Sequence, residues 1–191
     1  MKYDLNVRSY IGYKFLNSLF FGLSTGSIFI LYTPLNPSIY SLGGIFLAFG
    51  LLIVAKFYDR MMVRSVFYGI TLLVEGIALV MVVYFLIFSY AYMTALLIYI
   101  GYQITFMFGG YLVRIETLAL HRASLLSFAD VAKQKGYLVG MIGAYGFYKL
   151  LEWQGILDKQ VQVYDLHFGL LGVQLAVLWK VYHAFKRSSQ R

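Results

Sequence analysis

Apolar runs of about 20 residues recur along the whole chain and limit its fold more than any other feature. They cover residues 14–33, 38–58, 64–88, 92–116, 134–152 and 164–184. An α-helix needs roughly 20 apolar residues to cross the hydrocarbon core of a bilayer, so these runs predict six transmembrane helices. Charged residues form only 13% of the chain. They gather at the ends of the runs, as expected when a charge in hydrocarbon costs about 3 kcal/mol.

The order of residues within the runs favours helices over the strands of a β-barrel. Barrel strands need segments of roughly 10 residues in which lipid-facing and lumen-facing side chains alternate. The run LLVEGIALVMVVYFLIF shows no such alternation. Helices also satisfy their backbone hydrogen bonds internally, which lipid requires. We therefore predict an all-α polytopic membrane protein, with a single six-helix membrane domain over residues 1–191.

The positions of lysine and arginine predict the orientation of the helices. All but two of the 16 basic residues lie before or at the start of the first run, in or beside the connection between the second and third, in or beside that between the fourth and fifth, or near and after the end of the last. The positive-inside rule places these segments, and therefore both termini, on the cytoplasmic side, as in a bacterial cytoplasmic membrane. The net charge of +8 is spread over four segments rather than one stripe, which argues against nucleic-acid binding.

Motifs for enzymatic chemistry are missing from the sequence. The chain has no cysteine, which excludes disulfides, thiolate metal sites and a cysteine nucleophile. His121, His167 and His183 have neither metal-site spacing nor the paired depths that a bis-histidine haem needs. Nucleophile elbow, Walker, dinucleotide and zinc-protease motifs are also missing. We expect a protein that is not an enzyme and that holds no cofactor or metal.

Polar residues inside the apolar runs are the candidates for function, because each is costly unless it faces a partner or water. Glu75 lies near the middle of the third run, with Thr71 one turn before it. It could serve proton coupling or be a structural carboxyl bonded to a neighbouring helix. The other substrate or proton candidates share helix faces by seven-residue spacing or lie beside them: Asn17, Ser24 and Thr25 in the first run, Gln103 and Arg114 in the fourth, and His167 and Gln174 in the sixth.

Glycines recur every three or four residues in two of the runs and predict close helix packing. A static packing surface and a sliding surface between moving helices both fit this pattern. The glycines are Gly22 and Gly26 in the first run, and Gly136, Gly140, Gly143 and Gly146 in the fifth.

The amphipathic segment 114–135 is too polar to be buried in lipid. We expect the fourth helix to continue to about His121. The fifth helix would then begin at Ser127, where Asp130 three residues later completes a capping-box pattern. A separate helix on the membrane surface is the alternative.

The loop AKFYDRMMVRS between the second and third runs resembles a cytoplasmic motif of the major facilitator superfamily. In that motif a glycine is followed four residues later by Asp-Arg, then by a second glycine and further basic residues. Asp59, Arg60 and Arg64 match it, whereas Ala55 replaces the first glycine and the second is missing. The resemblance implies a charge-paired latch with Arg114 that forms in one conformation and breaks in another. Ordinary interfacial residues of a tight loop are the alternative.

A weak internal repeat fits the same resemblance. Each half of a major facilitator transporter contains two three-helix repeats of opposite orientation. Here a shift of 93 residues aligns places in the second run with matching places in the fifth: Gly43 with Gly136, Gly50 with Gly143, Lys56 with Lys149, and Asp59 with Glu152. The sequence therefore predicts a 3+3 inverted repeat.

Major facilitator transporters usually consist of two six-helix halves, and the resemblance implies that this chain corresponds to one of them. A transporter with one six-helix half needs a second wall, so we expect a homodimer or a second membrane subunit. The leading hypothesis is a half-sized transporter of a small solute that works by alternating access and uses Glu75 for proton coupling. The alternative is a non-transporting membrane subunit or scaffold of a larger complex, including a substrate-binding subunit of a multi-component uptake system.

Overall fold

A computed structural model describes residues 3–187, with side chains described for residues 5–185. Within this range the chain is helical apart from one short pair of strands, so the all-α prediction is confirmed. Lys2 and Arg191, which contributed to the predicted orientation, lie outside the described residues. The elements are β1 (Tyr3–Leu5), α1 (Val7–Leu31), α2 (Pro37–Lys56), α3 (Tyr58–Met61), α4 (Arg64–Ile87), α5 (Tyr92–Met107), α6 (Gly109–Leu120), α7 (Ala123–Trp153), α8 (Lys159–Ala184) and β2 (Phe185–Arg187).

Local signals explain where several helices begin and end. The Asn6 side chain caps α1 by accepting a hydrogen bond of 3.1 Å from the Ser9 backbone N–H, and Asp158 caps α8 in the same way. Pro37 opens α2, where its missing N–H costs nothing. His121 ends α6 in a left-handed conformation with φ of 36°, which stops the helix where the sequence predicted.

Five helical segments are long and apolar enough to cross a membrane, consistent with an integral membrane protein. They are Val7–Leu31, Pro37–Lys56, Arg64–Ile87, Tyr92–Leu120 and Lys159–Ala184. The fourth runs through a one-residue irregularity at Phe108 that separates α5 from α6. The longest helix, α7 with 31 residues, is not among them by length and composition. Charged residues near both of its ends lower its mean hydropathy.

The start of α7 corrects one sequence prediction. The helix begins at Ala123, four residues before the predicted Ser127, and continues without a break. Asp130 does not cap it but pairs with Lys133 at 3.0 Å. The reason is that the left-handed His121 and the extended Arg122 already turn the chain, so the next helix starts at once. No separate surface helix forms between α6 and α7.

The helices pack around α1, which contacts both α7 and α8 along much of its length. On the far side of α8 lies α4, followed by α5 and then α2. The apolar core between α1, α4, α5 and α8 includes Leu31, Phe85, Ile98 and Val163. The perimeter, which includes α2 and the outer face of α7, exposes many large apolar side chains.

Three glycines let α1 and α7 touch through their backbones; we call Gly22, Gly136 and Gly140 the glycine seam. A Cβ added to Gly136 would collide with the Phe15 carbonyl, and one added to Gly22 with the Tyr137 carbonyl. Of the other predicted packing glycines, Gly26 and Gly143 have only ordinary contact distances of 3.7 and 3.5 Å, and Gly146 has no neighbour within 4 Å. Among the predicted packing glycines, only the three of the glycine seam therefore leave no room for a side chain.

Strands β1 and β2 pair antiparallel, with Leu5 opposite Phe185. The Asn6 backbone N–H also donates to the Ala184 carbonyl at 2.8 Å. The start of α1 and the end of α8 are thus fixed at the same end of the bundle. This pairing was not predicted from the sequence.

Candidate functional site

The Glu75 carboxyl lies at the centre of the bundle and is 1% exposed. Oε1 accepts hydrogen bonds from the Tyr13 hydroxyl and the Asn17 amide, both at 2.8 Å. Oε2 accepts one from the Gln174 amide at 3.0 Å. The donors come from α1 and α8 while the carboxyl comes from α4, so the site depends on three helices at once.

Local spacing explains how the donors reach one point. Tyr13 and Asn17 are four residues apart on α1 and therefore share a face. Gln174 bonds the Glu75 backbone carbonyl at 2.8 Å as well as its side chain, which fixes α8 against α4. Within residues 5–185 no lysine or arginine forms a salt bridge with Glu75. Its surroundings are neutral hydrogen-bond donors.

Two polar atoms beside this carboxyl have no partner within the described part of the chain. They are Thr71 Oγ1, one turn before Glu75 on α4, and Gln174 Oε1. Both residues are almost completely buried. Buried polar atoms are normally hydrogen-bonded, so this region holds unused capacity for a proton or a water molecule.

A second buried carboxyl, Glu116 of α6, is 3% exposed and lies among charges. It pairs with Lys14 of α1 at 2.7 Å and with Lys133 of α7 at 3.0 Å. The Tyr10 hydroxyl donates to it at 3.0 Å. Glu116 thereby ties α1, α6 and α7 together. The rings of Tyr10 and Tyr13, whose centroids are 5.5 Å apart, separate it from Glu75.

Two small cavities extend from Glu75 towards the end of the bundle opposite β1 and β2. The first, about 20 Å³, is lined by Glu75, Asn17, Tyr102 and Thr105 among others. The second, also about 20 Å³, is lined by Ser24, Ser27, Tyr102 and His167 among others. About 10–15 Å³ suffices for one water molecule when polar partners are present. Each cavity can therefore hold a water.

The turn between α4 and α5 is tied to α8 near this far end of the bundle. The Tyr90 hydroxyl donates to the Gln160 carbonyl. Burial is the main cause that raises the pKa of Tyr90, so its hydroxyl remains a donor. The Tyr164 hydroxyl likewise donates to the Leu86 carbonyl at 3.2 Å. These bonds hold the turn between α4 and α5 against the first turns of α8.

The structure brings together five of the predicted substrate or proton candidates. Asn17 and Gln174 contact Glu75 directly, and Ser24 and His167 line the second cavity.

The remaining candidates lie elsewhere. The Thr25 hydroxyl bonds the Phe21 carbonyl of its own helix at 2.7 Å. Gln103 lines an apolar groove between α2 and α5. Arg114 is exposed.

The proposed latch residues lie at the end of the bundle where β1 pairs with β2. Asp59 and Arg60 are exposed on α3, and Arg64 is the first residue of α4. Arg114 lies over the Tyr58 ring, 5.3 Å from its centroid. Asp59 forms no salt bridge with any side chain that the structure describes. A latch between Asp59 and Arg114 remains a prediction.

Sequence reasoning missed the aromatic and charged partners of the two carboxyls. Tyr10 and Tyr13 were not among the candidates, and Lys14 contributed only to the predicted orientation. Glu116 fell in a segment that was taken for a cytoplasmic connection. The four-residue spacing of Tyr13 and Asn17 could have added Tyr13 to the Glu75 site, since it places both on one face of α1.

Comparisons of this chain with models of known protein families, with curated proteins and with solved structures found no match. Among the described residues, no group of three histidine, aspartate or glutamate side chains could hold a metal ion.

Proposed function

We propose that this chain is a half-sized membrane transporter of a small solute, which works as a dimer by alternating access and is coupled to protons through Glu75. The observation that carries the proposal is the Glu75 site. A carboxyl at mid-depth whose hydrogen bonds all come from neutral donors has no cation in direct contact, so such a residue is expensive unless it has a function. Proton binding neutralises it and removes that cost.

The donors around Glu75 suit a group that gains and loses a proton. The ionised carboxylate can accept the hydrogen bonds from Tyr13, Asn17 and Gln174. The protonated form needs one acceptor for its own O–H. Gln174 Oε1 and Thr71 Oγ1 are unpaired acceptors in the same region. Small side-chain rotations can therefore satisfy the hydrogen bonds of Glu75 in both its ionised and its protonated form.

The paired ends support six crossings with α7 as the fifth. Because β1 pairs with β2, the first and last helices have their outer ends on one side, and this requires an even number of crossings. Five helical segments qualify by length and composition. Helix α7 packs along α1 and, at 31 residues, reaches about 46 Å at 1.5 Å per residue. The positive-inside rule favours a cytoplasmic location for the ends.

The order of helix contacts supports a 3+3 inverted repeat. In such a repeat α1, α2 and α4 correspond to α5–α6, α7 and α8, respectively. The contact between α1 and α7 then corresponds to that between α5 and α2, and the contact between α1 and α8 to that between α5 and α4. The contact between α4 and α8 needs no separate counterpart, because each of these helices is the equivalent of the other. Every main helix contact has its counterpart, as in one half of a major facilitator transporter.

The register of close contacts supports the same repeat. A Cβ on Gly43 would collide with the Tyr99 side chain, and 93 residues later a Cβ on Gly136 would collide with the Phe15 backbone. Phe15 precedes Tyr99 by 84 residues.

The next pair of glycines shows the same two sequence separations, 93 residues between the glycines and 84 between the residues that they face. Gly50 faces Met107, whereas Gly143, again 93 residues later, faces Leu23 at 3.5 Å. Leu23 precedes Met107 by the same 84 residues.

The dimer follows from this half-unit. A substrate site between two halves needs a second copy or a second subunit, because a single half provides one wall. Crosslinking in native membranes tests this requirement and should trap a dimer. A strictly monomeric protein would refute the proposal.

Proton coupling is tested in liposomes that contain a pH-sensitive dye and the purified protein. A panel of small solutes should include at least one that moves protons with the wild-type chain and not with Glu75→Gln. Asp130→Asn, which changes an exposed carboxylate, is the matched control and should retain the response. Solute-driven proton movement that survives Glu75→Gln would contradict the role of Glu75.

A second candidate is a non-transporting membrane subunit, and one observation favours it. The two cavities inside the bundle are water-sized, whereas the wider ones lie at the perimeter. A cavity of about 570 Å³ lies between α4 and α5, and one of about 340 Å³ between α2 and α5. Both are mainly apolar and suit lipid or another helix. Co-purification with other membrane subunits and unchanged assembly in Glu75→Gln would favour this candidate.

A further inference from the structure

We propose that protons reach Glu75 through a hydrated route that begins at His167 and passes through the two cavities lined by Tyr102. The proposal rests on the proposed proton-binding role of Glu75 and adds a second proton-handling residue, with water and the proton as the ligands of the route.

The two cavities adjoin each other. Both are lined by Phe20, Ala78, Met81 and Tyr102, so only side chains separate them. Each has about 20 Å³, enough for one water that bonds two or more polar groups. The apolar members of the lining keep the route narrow. The polar members supply hydrogen-bond partners at intervals along it.

His167 has the chemistry of an entry group. It is 4% exposed and lines the second cavity. Its Nδ1 lies 2.6 Å from the Val163 carbonyl. A carbonyl can only accept, so Nδ1 must carry a hydrogen. That leaves Nε2 as the nitrogen that can take up a proton and release it.

The length of the route matches a short chain of water and hydroxyl groups. His167 and Gln174 are seven residues apart on α8, which corresponds to about 10 Å along the helix. Gln174 bonds Glu75 directly. Two waters and the hydroxyls of Ser24, Tyr102 and Thr105 can bridge this distance in hydrogen-bond steps of about 2.8 Å.

The proton balance is simple. A proton on His167 Nε2 passes to a water in the second cavity, and that water passes a proton on through Tyr102 or the water of the first cavity to Glu75. His167 returns to its neutral form and Glu75 becomes neutral. No oxidant or other reactant is needed.

The other side of Glu75 is closed by aromatic rings. The Tyr13 hydroxyl bonds the carboxyl. The centroid of the Tyr10 ring lies 5.5 Å from that of the Tyr13 ring and 5.9 Å from that of the Phe67 ring. The charged groups beyond them, Lys14 and Glu116, are bonded to each other. In this conformation the water-sized cavities next to Glu75 therefore lie on its His167 side.

The test is a pH jump on the full-length protein in detergent, followed by time-resolved infrared absorption of the protonated carboxyl. Glu75→Gln identifies the band that belongs to Glu75. We expect His167→Phe to slow the appearance of this band at least tenfold. His183→Phe is the matched control, because the His183 Nδ1 also bonds the carbonyl four residues earlier, at 2.8 Å, but the ring does not line either cavity.

Ala78→Leu provides a second variant, since it would fill space beside both cavities without touching a titratable group. It should slow the appearance of the band as His167→Phe does. The route can therefore still be tested if one of the two variants folds poorly. An unchanged rate in folded His167→Phe or folded Ala78→Leu would overturn the route but leave Glu75 as a proton site. Absence of any band that Glu75→Gln removes would overturn the route together with the proposed proton site.

Discussion

Glu75 and Glu116 are both buried carboxyls, and they lie on either side of the same pair of tyrosines. Glu116 is held by two lysines, whereas Glu75 receives only neutral donors. A paired buried charge acts as a structural tie, because removing one partner leaves the other uncompensated. A buried carboxyl without a cation can reduce its burial cost by taking up a proton. The difference in partners therefore distinguishes the structural tie at Glu116 from the proton-binding role that we propose for Glu75.

Removing Glu116 should have the largest effect on stability. Glu116→Ala leaves Lys14 buried without its anion, and we expect the free energy of unfolding to fall by about 3–5 kcal/mol. Denaturant titration in detergent micelles measures it. Asp130→Ala is the control, because Asp130 is exposed and its pair with Lys133 should contribute less than about 0.5 kcal/mol. A loss below about 1 kcal/mol in Glu116→Ala would remove the contrast between the two carboxyls.

Widening the glycine seam should disturb Glu116 without touching Glu75. In Gly140→Leu the new side chain meets the Leu19 carbonyl, which pushes α7 and its Lys133 away from α1. Overpacking of this kind costs about 1–3 kcal/mol. Gly146→Leu is the control, since Gly146 has no neighbour within 4 Å. Equal melting temperatures for the two variants would argue against the close approach of α1 and α7.

Tyr10 and Tyr13 each donate one hydroxyl hydrogen bond, to Glu116 and Glu75 respectively, so removing each hydroxyl in turn compares the two carboxyls. Tyr13→Phe and Tyr10→Phe each remove one hydrogen bond to a buried carboxyl and should each cost about 1 kcal/mol of unfolding free energy. Only Tyr13→Phe should shift the infrared band of Glu75. A shift of that band in Tyr10→Phe instead would mean that the two carboxyls act as one unit.

Glu75→Gln should have the smallest effect on stability, below about 1 kcal/mol, because the amide has nearly the shape of the protonated carboxyl and no uncompensated charge remains. The same denaturant titration measures it. A loss as large as that of Glu116→Ala would make Glu75 a structural anion and would contradict its proposed role.

Much of the fold could be predicted from local patterns. Five of the six apolar runs correspond to helices that are long and apolar enough to cross a membrane, since length and hydropathy are properties of each segment alone. His121 was correctly expected to end a helix. The start of α7 was predicted wrongly, because a capping-box pattern at Ser127 and Asp130 competes with a chain reversal that is already complete at Arg122. Such competition depends on the preceding helix as well as on the local sequence.

The candidate site was predictable only in part. Glu75, Asn17 and Gln174 could be selected as polar residues inside apolar runs. Which of them meet could not be derived, because three helices of unknown packing order had to be placed first.

The sequence by itself determined that this chain is helical and apolar enough for a membrane, and that Glu75 is costly to bury, because these are sums over single residues. Only the tertiary structure decided that Glu75 receives neutral donors while Glu116 receives lysines. It also decided which glycines require the absence of a side chain. Those outcomes depend on distances between separate helices. Such distances are set by the packing of the helices and not by the sequence of any one segment.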